Sequence, residues 1–159
     1  MSGLFYVRRL PSWRANVKKR LIKAPKTYVR DNELVHALLG IPDREHLLGH
    51  PVCVGSWEGL VIENLLAASP DHVQTGFYRT SAGAEVDLLL ELPGHGLWAI
   101  EIKRSLAPKL SRGLHHARQD LVPDRTFIVY PGTERYQIRE GVEVISLEGL
   151  CRMLQHKAA

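Results

Sequence analysis

From Val73 to Ser105 the chain reads VQTGFYRT, SAG, AEVDLLLEL, PGHG and LWAIEIKRS, three apolar or aromatic runs separated by short turn sequences. Runs of this length, bounded by Gly and Pro, fit strands, and turns this short join them only as antiparallel neighbours. A three-stranded meander is therefore the expected centre of the fold. If the second turn centres on Gly94, Glu91 faces Leu97, Leu89 faces Ala99, Asp87 faces Glu101 and Glu85 faces Lys103. Like charges directly across a strand pair repel, so a sheet built for stability alone would avoid setting Asp87 against Glu101. Alternation along the last run places Ala99, Glu101 and Lys103 on one face and Trp98, Ile100 and Ile102 on the other.

Facing carboxylates become favourable when a hard divalent cation such as Mg²⁺ or Mn²⁺ takes their oxygens. A metal held by Asp87 and Glu101 would lower the pKa of a bound water and stabilise charge on a phosphoryl oxygen. Lys103 would position the nucleophile or neutralise the transition state. The substrate would be a phosphodiester. As a spacing alone, D-x13-E-x-K is permissive. The same residues also suit an exposed strand end carrying Glu85 to Lys103 and Asp87 to Arg104 surface pairs of little energetic weight.

The flanking sequence supplies helices and further strands. Ser56 suits the N-cap of a helix through WEGLVIENLLAAS, whose Leu60, Val61, Leu65 and Leu66 recur at helical spacing and which Pro70 and Asp71 end. KTYVRD alternates as a short strand, and Asp31 or Asn32 can cap a helix through NELVHALLGI. A helix in KLSRGLHHARQDLV lies between Pro108 and Pro123. RTFIVYPG and VEVISL read as strands, and SLEGLCRMLQHK as a closing helix. The order predicts an α/β domain with a mixed central sheet flanked by helices: helix, three-stranded meander, helix, strand. With 159 residues, 45% of them hydrophobic, the chain can bury a core without staples.

Charge is unevenly placed. Met1 to Arg30 carries Arg8, Arg9, Arg14, Lys18, Lys19, Arg20, Lys23, Lys26 and Arg30 with no acid, interleaved with Phe5, Tyr6, Trp13 and Tyr28, and the whole chain is formally +4. Such a mixture stacks on bases and pairs with phosphates, or else forms a solvated basic face. Arg14, Lys18, Lys19 and Arg20, with Arg79 and Arg104 from the body, are the candidate nucleic-acid contacts.

AEVDLLLE followed by WAIEIKRS resembles the PD-(D/E)xK motif of the restriction-endonuclease-like superfamily, with Val86 where the motif proline would stand. More closely, WEGLVIENLL, FYRTSAGAEVDLLLE and AIEIKRS resemble the C-terminal domain of unknown function attached to AAA-type ATPases of bacteria and archaea. KTYVRDNELVHALLGI resembles the segment before it. The resemblance implies a restriction-endonuclease-like core over residues 41–159, with residues 1–40 as a basic segment packing on or extending from it. It implies Asp87 and Glu101 as metal ligands, a third oxygen from the Ile102 carbonyl, Lys103 as the catalytic lysine and Glu58 as the helix glutamate. Glu63 is the second choice for that role, and Gln119 a polar helix residue near DNA or the attacking water.

Two functions follow as expectations: a Mg²⁺- or Mn²⁺-dependent nuclease acting on DNA, or a non-catalytic nuclease-like module that docks an AAA-type ATPase or a nucleic acid. A homodimer is expected by analogy with superfamily nucleases. No G-x4-G-K-[ST] occurs, so no ATP site is expected, and the chain reads as an excised domain or a truncated product. The histidines form no H-x3-H or HExxH array, and His115 and His116 diverge by about 100° on a helix. No G-x-S-x-G elbow serves Ser81. Cys53 and Cys151 lack CxxC spacing, and no stretch has the apolar length of a signal peptide or a membrane span. A soluble, cytoplasmic protein is the expectation.

Overall fold

The structure, a computed structural model, describes residues 7–14, 19–30 and 52–158. The meander is present: β3 (Gln74–Arg79), β4 (Glu85–Leu92) and β5 (Gly96–Ile102) pair antiparallel in turn. The β4–β5 ladder has the expected register, with Leu89 opposite Ala99 and Glu91 opposite Leu97. Next come helix α2 (Arg112–Leu121) and β6 (Arg125–Tyr130), which runs parallel to β5. A parallel neighbour requires a crossover connection, and α2 supplies it. Strand β8 (Val142–Ser146) lies parallel to β6, and β7 (Tyr136–Arg139) pairs antiparallel on its outer side. The sheet is mixed and six-stranded, in the order β3-β4-β5-β6-β8-β7.

Both faces are covered, which explains why Leu88, Leu89 and Leu90 run as an unbroken apolar stretch. On one face, Leu88, Leu90, Trp98, Ile100, Phe127 and Val129 pack under α1 (Val52–Ala68) and α3 (Leu147–Ala158), which contribute Val61, Ile62, Leu65, Leu150 and Leu154. On the other, Leu89, Ala99, Ile128, Val142 and Val144 meet Leu114 and Ala117 of α2. Helix α2 starts at a real cap, since Ser111 Oγ accepts the Leu114 N–H at 3.0 Å. Ser56 is not the cap of α1, which begins at Val52 and so places Ser56 inside the helix. Gly55 costs such a helix about 1 kcal/mol relative to Ala, and packing of the Val61 to Leu65 face outweighs it. The helix expected over NELVHALLGI lies outside the described residues. Among the described residues no helix is long and apolar enough to cross a membrane.

The basic arm folds onto the body. Strands β1 (Val7–Leu10) and β2 (Lys26–Val29) form an antiparallel hairpin, and Leu10 enters the core at 1% exposure. Between them the chain follows the outer edge of β3. The Trp13 N–H donates to the Phe77 carbonyl at 2.7 Å, the Phe77 N–H to that of Pro11 at 3.0 Å, and the Ile22 N–H to that of Arg79 at 2.9 Å. These bonds occupy edge groups that would otherwise template foreign strands. Gly76 permits the approach, for a Cβ there would lie 3.1 Å from both the Pro11 carbonyl oxygen and the Trp13 ring.

Candidate functional site

The site begins with an irregularity in β4. Gly76 pairs with Leu89 and Tyr78 with Val86, so two steps along β3 meet three along β4. Such a bulge adds one residue and redirects a side chain. Val86 and Leu89 both pack toward α2, and Leu88 toward α1. Asp87 is thereby turned to the α1 side, where it meets Lys26 of β2 and Glu58 of α1. The ladder between β4 and β5 stops at Leu88 opposite Ile100. Beyond it, Asp87 Oδ2 accepts the backbone N–H of Ile102 at 2.9 Å, so the side chain closes the gap where the strands separate.

Lys26 is the hub of this region. Its Nζ lies 2.8 Å from Glu58 Oε1, 3.1 Å from Asp87 Oδ1 and 3.4 Å from Glu85 Oε1, with only 14% of its side chain exposed. The Tyr28 hydroxyl donates to the same Glu58 oxygen at 2.6 Å, and the Lys26 ammonium stands 5.6 Å from the centre of the Phe77 ring. Arg79 pairs with Glu85. Burial works against the charged ammonium, but Asp87 and Glu58 outweigh it and hold Lys26 above the usual lysine range. Burial, with help from the Glu58 charge, pushes the Asp87 carboxyl up to about 6 against the pull of Lys26 and the Ile102 N–H. Burial and donation to Glu58 keep the Tyr28 phenol protonated.

Glu101 stands at the end of β5. Alternation along β5 continues the Ala99 row, and Glu101, 6% exposed, pairs through Oε1 with Lys103 Nζ at 2.7 Å. The β4–β5 ladder ends before Asp87 and Glu101, and Glu58 and Glu85 share the Lys26 cation with Asp87. Glu101 Oε2 is buried and has no hydrogen-bond partner. The Lys103 segment is fixed by its N–H to the Val129 carbonyl at 2.9 Å and by the Trp57 indole N–H to its own carbonyl at 3.0 Å. Glu58, Glu85, Asp87 and Glu101, set against Lys26, Arg79 and Lys103, make four acids to three bases.

The remaining candidates separate from this cluster. Glu63 binds Arg8, with Nε–Oε1 at 2.6 Å, and Arg30 at 3.0 Å, so it fastens the hairpin to α1. Gln119 is exposed on α2, 3.5 Å from a His115 ring nitrogen. Lys19 is held by Asp120 at 2.6 Å and Arg79 by Glu85, whereas Arg14, Arg20 and Arg104 are exposed. Lys18 lies outside the described residues. The sequence reading missed Lys26, Tyr28 and Glu85, and paired Glu85 with Lys103 instead of Arg79 and Lys26. The period of two in KTYV was the available signal, because it sends Lys26 and Tyr28 to the same side.

Among the described residues no three His, Cys, Asp or Glu side chains are arranged as a metal-holding group. The donor chemistry nevertheless suits Mg²⁺ or Mn²⁺. Every donor is a carboxylate or backbone oxygen, and Glu101 Oε2 is an acceptor with nothing to accept. Lys26 is the counterion now among Glu58, Glu85 and Asp87.

The chain is 42% identical over 146 residues to two uncharacterized proteins, from Mycobacterium bovis and Mycobacterium tuberculosis. The match takes in 91% of this chain but 32% of either relative, so the chain spans about a third of their length. No solved structure matches it. Residues 1–45 match a family profile described as a domain of unknown function (DUF8612). The bulged β4, Glu58 of α1, Glu101 of β5 and Lys103 just after it all fall within residues 55–150, and over those residues the chain belongs to the family described as Domain of unknown function (DUF4143).

Proposed function

We propose that the acidic end of the sheet is the divalent-cation centre of a phosphodiesterase acting on DNA, on a restriction-endonuclease-like core. The observation that carries this reading is the buried, unpartnered Oε2 of Glu101 beside Lys103, next to three carboxylates gathered on one ammonium. An orphaned carboxylate oxygen is costly, and a cation would satisfy it. Asp87, Glu101, Glu58 and the Ile102 carbonyl would hold the ion. When bound, it would acidify a water and offset charge on a phosphoryl oxygen. Lys103, oriented by its pair with Glu101, would bind a phosphate oxygen or steer the attacking water, while Trp57 and Val129 fix its backbone.

Calorimetric titration of Mg²⁺ and Mn²⁺ into wild type, Asp87→Asn and Glu101→Gln, paired with incubation on single-stranded, duplex and branched DNA, tests the reading. Metal binding and cleavage lost together in both variants are expected, and Lys103→Met should bind metal without cleaving. Absence of metal binding by the wild type overturns it.

One observation favours a second reading. Lys26 already neutralises three of the acids, as a permanent substitute for a metal would, which suits a non-catalytic module working with an AAA-type ATPase partner. On that reading Asp87→Asn leaves function intact.

A further inference from the structure

Among the described residues the cations of the arm fall into two sets. Arg8, Lys19, Lys26 and Arg30 each reach a carboxylate of the body, at 2.6 to 3.0 Å for the closest pairs. Arg9, Arg14, Arg20 and Lys23 are exposed and reach none among the described residues. This second set lines two adjoining hollows of about 770 and 870 Å³ that share Leu21 and Lys23. The larger is walled by Trp13, whose ring is backed by β3 at Gly76. Among the described residues no acid lines either hollow. Like charges converging on one concavity repel unless a ligand supplies the anions.

We infer that these hollows form a binding site for single-stranded nucleic acid, with phosphates held by Arg9, Arg14, Arg20 and Lys23 and an unpaired base stacked on Trp13. An aromatic wall beside a cationic floor suits a strand whose bases are free, because a duplex keeps its bases stacked on one another and offers this surface only phosphates. The site stands apart from the acidic cluster. It goes beyond the metal-centre reading, and it holds whether or not the acidic cluster cleaves anything.

The test is fluorescence anisotropy of a labelled oligothymidylate and of a duplex of equal length, with the full chain in excess chelator so that no metal chemistry contributes. Arg9→Ala/Arg14→Ala/Lys23→Ala is compared with Lys109→Ala/Arg112→Ala/Arg139→Ala, which removes the same charge from exposed positions elsewhere. Circular dichroism melting of both triples confirms that each is folded, and single-residue versions replace any triple that is not. The arm triple should weaken single-strand binding about tenfold or more and flatten its log–log salt dependence by about 2, as expected for about three lost phosphate contacts. The control triple should change affinity less than threefold, and wild type should prefer the strand to the duplex about tenfold. Equal losses in the two triples, equal affinity for strand and duplex, or no binding by the wild type overturns the proposal.

Discussion

Asp87 and Lys26 are joined by a contact spanning 61 positions. Asp87 carries a folded-state pKa above its unfolded value, so its contribution to stability is fully present below the unfolded pKa, near 4, and is lost as pH rises through about 6. The groups facing it are Lys26 and Glu58, with Glu85 and Arg79 behind. Asp87→Asn removes the titration, so the variant's melting temperature relative to wild type should climb between pH 4 and pH 7; a flat difference across that range contradicts the assignment. Lys26→Met leaves three carboxylates without their shared cation. Losing one partner of such a cluster costs about 3 kcal/mol, read as a drop in the denaturant midpoint with chelator present. Under the proposed metal centre, millimolar Mg²⁺ should recover more stability in this variant than in wild type. Asp87, Glu101 and Lys103 stood out in the sequence through the turn centre and the strand period, whereas Glu58 was named only by what the family resemblance implies. The link from Lys26 did not stand out, since a pairing between distant segments leaves no local period.

Among the elements, the bulge in β4 decides the site, and the hairpin β1–β2 closes one side of it. The meander, α2, β6, β8 and α3 could be read from turn residues and alternation. The bulge escaped because one extra residue changes no composition; only the pairing of Gly76 with Leu89 and Tyr78 with Val86 exposes it. Strand β7 escaped because YQIR is mostly exposed and gives no apolar alternation, and β1 because VRRL sets two arginines in its middle. Glu63 fastens the hairpin to α1 through Arg8 and Arg30, beside the Lys26 and Tyr28 bonds to Glu58. Burial alone would raise the Glu63 carboxyl, but Arg8 and Arg30 hold it below the usual range, so its stabilisation is present at neutral pH and is lost in acid. Glu63→Gln should cost about 1–2 kcal/mol. It should also speed hydrogen exchange across Lys26–Val29 while leaving Leu88–Leu90 protected, as mass spectrometry of peptic fragments can show.

At the scale of the whole molecule, the sheet is finished at one margin by the arm and at the other by the short, exposed strand β7. The fold class was legible because strands alternate with helical patterns, whereas the insertion of β8 between β6 and β7 was not, since strand order depends on packing across the sheet. Gly76 is the position through which the arm's seating can be tested. Gly76→Val drives side-chain carbons into the Pro11 carbonyl and the Trp13 ring, lifts the arm from β3, and should lower stability by about 2 kcal/mol. Light scattering should then show self-association through the bared strand, and a variant that stays monodisperse would place the cover elsewhere. Chain order adds a consequence for biosynthesis. The arm leaves the ribosome before β3 does, so the nascent sheet meets its own cover already made and is never offered bare to a neighbouring polysome.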